Sequence, residues 1–293
     1  MSEKLTQRER KARIRKGLPI EALGLQFYPV LMADYEEFLE CKNALAIRLT
    51  SLAKMNIEYL SMPFLSALWA MELDSVRATG KAIGFFERVI RLLYLSLRLG
   101  YDSQKAFGRI YCERENPRQL THIEVEIPDE NDETKIAQVV KITPLDFTTI
   151  VRPLIAEING IELPDESENP DILQTEQAMN EESASKVKFS LETLIASVAN
   201  ACNVREYEID EWTVAEFERR RQAIDRKLNY QIYSQAEMSG MVKFNNGNPC
   251  PSWCYDRAET LTSALITVDE MQGKYKGVGD VKATVAQGSQ TQE

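Results

Sequence analysis

Between Arg152 and Lys186 the chain has no basic residue, while acids accumulate from Glu157 and Glu162 through Asp165, Glu166, Glu168, Asp171 and Glu176 to Glu181 and Glu182. Like charges at this density repel, and the apolar content that would repay ordering is small. One core running continuously through this stretch is not expected. The sequence therefore reads in parts, with regular structure on either side of an acidic linker at 161–186.

Upstream, Tyr35, Phe38, Leu39, Leu45, Ala46, Leu49 and Leu52 recur at helical spacing, with Glu36, Glu37, Glu40 and Lys42 largely on other faces. Pro63 fits the first turn of a second helix, and Phe64 to Leu73 is apolar on nearly all sides, so that helix should be buried. A third run places Ile83, Phe86, Ile90, Leu93 and Leu97 on one side, with Gly100 as the expected left-handed cap. The period then shortens. Arg109 to Cys112, His122 to Ile127 and Ala137 to Ile142 alternate like strands, and Asn131 with its acidic neighbours suits a hairpin turn between the last two. Thr143-Pro144 opens a further helix that Asn159-Gly160 closes, with Pro153 expected to kink or split it.

After the linker, Leu191, Leu194, Ile195 and Val198 mark a helix. Thr213-Val214-Ala215-Glu216 has capping-box spacing and introduces a longer one, with Phe217, Ile224, Leu228 and Ile232 as its inner stripe. The expected class is α+β, mainly α-helical, with helical units flanking a small antiparallel β insert. The boundaries are a basic flexible arm or short frayed helix at 1–17, a helical unit at 18–104, a β-rich insert plus helix at 105–160, the linker, a C-terminal helical unit with an aromatic loop at 187–274, and a flexible tail at 275–293. The arm, the linker and the tail lack the apolar content that ordering requires.

Composition narrows the chemistry. A net charge of −10 disfavours a nucleic-acid coat. The lone histidine, His122, leaves little for imidazole catalysis or metal binding, and no phosphate loop, nucleophile elbow or zinc-protease helix occurs. Five cysteines fit reduced thiols better than a disulfide framework. Cys250 and Cys254 lack two further ligands, so they read as a packing loop rather than a metal knuckle. No catalytic residue, cofactor or metal ligand is assigned. The longest uncharged apolar stretch, Tyr59 to Met71, is too short to cross a bilayer, and no secretory signal is read, so a cytoplasmic location is expected.

Tyr230, Tyr233, Phe244, Trp253 and Tyr255 cluster around glycine and proline, where a continuous helix is impossible. Such aromatics either close a small core, the first reading, or form an adhesive surface. With Arg219 and Arg220 on the preceding helix, Phe244, Trp253 and Tyr255 are the candidate partner-binding residues.

The segments Leu25-Gln26-Phe27-Tyr28-Pro29-Val30, Tyr35 to Phe38, Tyr59 to Leu65, Phe147 to Glu166, Trp212 to Phe217 and Ala236 to Phe244 with Pro249 to Trp253 resemble a group of proteins encoded in tail-gene clusters of phages and prophages of Gram-positive bacteria. The similarity covers most of residues 18–256 and lies in packing residues. It implies a mostly helical, non-enzymatic tail assembly chaperone of the host cytoplasm that covers the tape-measure protein until tube subunits displace it. The tape-measure protein, the tail tube protein and further copies of the chain are the implied partners. A strand-rich insert departs from the short members of this group, and a structural component retained in the tail or baseplate is the alternative.

Overall fold

The computed structural model describes residues 6–52, 54–129, 132–165 and 190–240, together with residues 244, 248, 250, 252 and 253. Residues 1–5, the greater part of the acidic linker, Cys254, Tyr255 and the 275–293 tail lie outside the described residues. The fold is α+β and mainly helical, with a two-stranded and a three-stranded antiparallel sheet. Two compact units are present, Met1–Arg221 and Gln222–Glu293. Residues 190–221 therefore belong to the same unit as residues 18–160, and the acidic stretch does not divide two bodies.

The basic terminus takes the helical form of its two readings. Helix α1 (Gln7–Arg15) carries a complete capping box between Thr6 and Glu9, buries Ile14, and pairs Arg10 with Glu157 at 2.5 Å. A hairpin not expected from the sequence follows. Strands β1 (Ile20–Ala22) and β2 (Leu25–Phe27) pair around Leu23 and Gly24, both at positive φ, as a two-residue primed turn requires.

The first helical run breaks into α2 (Tyr35–Leu45) and α3 (Leu49–Leu52). Helix α4 (Phe64–Thr79) is buried as expected, but Pro63 occupies its N-cap rather than its first turn. Helix α5 (Phe85–Leu97) packs against α2 and α4 and buries Phe86, Val89, Ile90, Leu93 and Leu97, with the Phe86 ring 5.1 Å from Trp69 of α4. Its N-terminus follows Gly84, which has no capping side chain. The buried Glu72 of α4 accepts from the Ile83 and Phe86 amides instead, at 2.6 and 3.2 Å. Its left-handed cap is Arg98, φ 55°, and not Gly100. The guanidinium of Arg98 lies 4.4 Å over the Tyr28 ring, a contact that offsets part of the roughly 1–2 kcal/mol a side chain loses in that conformation.

After the short α6 (Ser103–Phe107), β3 (Ile110–Cys112), β4 (Leu120–Asp129) and β5 (Asp132–Ile142) form a meander. Ile123, Val125, Val140 and Ile142 face the core. Thr143 caps α7 (Pro144–Asp146), which runs through a π turn at Phe147–Val151 into α8 (Arg152–Asn159). Pro153 thus changes the winding rather than breaking the helix. A wider turn immediately before the proline accommodates its ring and its missing N–H.

Ser190 caps α9 (Leu191–Cys202), and α10 (Glu206–Ile209) precedes the long α11 (Val214–Met238). The segment before α2 is tied to the segment before α11. The Met32 amide donates to Trp212, the Ala33 amide to Asp210 and the Val214 amide to Val30. The Val30 amide donates to the buried Asn159 side chain at 2.8 Å, and Asn159 returns a bond to Ile155. Phe217, fully buried, then packs 6.0 Å from Tyr35.

Candidate interaction surfaces

The capping box at α11 is present as its threonine half. Thr213 accepts from the Glu216 amide at 3.1 Å, while the Glu216 carboxylate holds Arg220 at 2.7 Å. Arg220 also lies 4.1 Å over the Trp212 ring, so this candidate partner-binding residue is already engaged. Arg219 is exposed. The expected inner stripe holds at Phe217 and fails further along, because Leu228 is 51% and Ile232 61% exposed.

The second unit explains the failure. Phe244 meets Tyr233 edge-on at 5.7 Å, the Asn248 amide donates to Glu237, and the Cys250 thiol lies 3.7 Å from the Arg226 carbonyl. These contacts cover the face of α11 that carries residues 226, 233 and 237. Residues 228 and 232 project from the opposite side of a 3.6-residue helix. Phe244 is thus half-buried against Tyr233, and Trp253 is 53% exposed. The sulfur of Cys250 is turned to backbone carbonyls, including that of Ser252. Among the described residues no group of three His, Cys, Asp or Glu is placed to hold a metal ion, and no helix is long and apolar enough to cross a membrane.

The first unit carries a feature that no local motif signalled. A half-open groove of about 710 Å³ runs along α2, where Glu36, Glu37 and Glu40 meet Arg91 of α5, Leu191 and Ile195 of α9, and Asp210. A smaller recess of about 380 Å³ shares Asp34, Glu37 and Tyr101 with it. The acids of α2 read from sequence as an ordinary wet face, and Leu191, Ile195 and Asp210 opposite them lie more than 150 positions away.

The outer face of the three-stranded sheet holds His122. Its ring stacks on Tyr111 at 4.6 Å and 5°, and its Nε2 lies 3.5 Å from Glu124. Glu124 also accepts from the Tyr111 hydroxyl and pairs with Lys141. Burial alone would push the pKa of this carboxyl up. The hydrogen bond from Tyr111 and the paired Lys141 ammonium outweigh that and hold it below the ordinary value of 4.5. Every group here has a neighbour, and the arrangement is that of a structural charge network.

Family models, curated proteins and solved structures give no match to this chain.

Proposed function

We propose that the protein is a non-enzymatic phage tail assembly chaperone that works in the bacterial cytoplasm and binds the tape-measure protein. The sequence resemblance over residues 18–256 supplies the class. The observation that carries the reading is the uncovered face of α11, where Leu228 and Ile232, at i and i+4 on one long helix, are 51 and 61% exposed. A tape-measure chain presents amphipathic helices that aggregate when bare, and an apolar helix face covers such a surface by helix-on-helix packing.

Co-expression with the neighbouring tape-measure product tests this. The wild-type chain keeps that product soluble and copurifies with it, and Leu228→Glu with Ile232→Glu abolishes copurification without lowering the melting temperature. A tape-measure product that stays insoluble beside wild-type protein overturns the reading. The sheet β3–β5 favours the alternative of a retained tail or baseplate component. Stoichiometric amounts in purified virions would establish that alternative, and absence from them supports the chaperone.

A further inference from the structure

The groove along α2 has two walls of different chemistry. Leu191 and Ile195, half-buried on α9, stand at i and i+4, and so do Glu36 and Glu40, exposed on α2. Residues at that spacing form ridges along a helix, and two ridges with a trough between them are the shape into which a third helix packs.

The charge balance of the trough is uneven. The Arg91 guanidinium is shared among Glu37 at 3.5 Å, Glu40 at 3.7 Å and Glu87 at 3.6 Å. Among the described residues, Asp34, Glu36 and Asp210 form no ion pair. One cation thus serves a site lined by five acids, counting Asp34, Glu36, Glu37, Glu40 and Asp210. A partner bearing positive charge relieves their mutual repulsion, and one bearing negative charge adds to it.

We propose that this groove docks a cationic amphipathic helix of another protein. The apolar stripe of that helix lies on Leu191 and Ile195, and its Lys or Arg side chains reach Asp34, Glu36, Glu40 and Asp210. The inference stands apart from the tail-assembly reading, which rests on α11. A groove that takes lysine-flanked helices selects among amphipathic segments that an uncharged apolar face would accept alike.

The test uses full-length protein and two fluorescent helical peptides of about 20 residues, roughly 30 Å long. Both carry leucine at i, i+3, i+4 and i+7, with lysine elsewhere in one and glutamate in the other. Fluorescence anisotropy should show binding of the lysine peptide, weakened as salt rises from about 0.05 to 0.3 M, and none of the glutamate peptide. Glu36→Lys with Glu40→Lys should weaken the lysine peptide about tenfold or more and admit the glutamate peptide. Glu113→Lys with Glu115→Lys changes net charge equally at exposed positions outside the groove, and should leave binding as in wild type. Ile195→Glu, which alters the apolar wall, should also reduce binding of the lysine peptide.

Equal binding of both peptides overturns the proposal. So does equal weakening by the two lysine pairs, which would mean that net charge alone attracts the peptide. If the lysine peptide fails to bind while the tape-measure product still copurifies, the groove inference falls and the function stands. If it binds and copurification fails, the reverse holds.

Discussion

Phe217→Ala deletes a ring that is fully buried at the start of α11 and lies 6.0 Å from the Tyr35 ring at 57°. Truncating a buried phenylalanine costs about 3–5 kcal/mol, the spread reflecting how far the neighbours collapse into the hole. The upper part of that range applies here. Tyr35 is itself buried, and its hydroxyl is held by Glu218 at 3.0 Å, so the ring cannot swing into the vacated space without giving up that bond. Burial and the adjacent Glu218 carboxylate also push the Tyr35 phenol up to about 12, so it stays a neutral donor throughout the accessible pH range. For a unit of this size each kcal/mol corresponds to about 2–4 °C, so a cost of about 4–5 kcal/mol should lower the melting temperature by roughly 8–20 °C. Urea unfolding followed by tryptophan fluorescence measures the free energy directly. Ile232→Ala, at a position 61% exposed, is the internal control and should stay within about 0.5 kcal/mol of wild type. A Phe217→Ala loss under about 1 kcal/mol would refute the argument, because no well-packed buried ring is removed so cheaply.

Arg152→Met should cost about 2–4 kcal/mol in the same assay. The buried guanidinium donates to the Leu45 and Ile47 carbonyls, both at 3.0 Å, and lies 3.7 Å over Phe64, and methionine replaces only the stacking. Glu124 has a depressed folded pKa, so its stabilisation is complete above the ordinary carboxylate value and is lost as pH falls through the folded one. Glu124→Gln should therefore flatten the acid limb of stability below about pH 4.5 and leave the slope near neutrality unchanged, as read from urea midpoints across pH. Cys41 is fully buried, and burial pushes its thiol up to about 11. A maleimide reagent should modify it only after denaturation, and native labelling as fast as that of half-buried Cys202 would contradict the packing of α2.

Periodicity made the long elements legible. The α4, α5 and α8 faces, the β4–β5 hairpin and α9 follow from apolar spacing and strong punctuation. Where a cap or turn is set by tertiary contact, local signals misled. Gly100 looked like the end of α5, but Arg98 takes the left-handed position because Tyr28 waits beneath it. Leu23 hid a primed turn that asparagine would have announced. The α11 stripe failed at Leu228 and Ile232 because periodicity marks an apolar face without saying whether anything covers it. The groove was illegible for another reason. Its walls come from α2 and α9, and no spacing rule joins residues so far apart in the chain.

The bonds from Val30, Met32 and Ala33 to residues 210–214, and the seating of Phe217 beside Tyr35, impose an order on synthesis. Ribosomes add about 5–20 residues per second, so Tyr35 emerges roughly 10–40 s before the phenylalanine that covers it. Throughout that interval the nascent chain exposes a flank of α2 and an unpaired backbone edge at Val30 to Ala33. The acidic stretch is made during this wait. Like charge on two nascent chains that have reached this run of acids opposes their association before α11 is made.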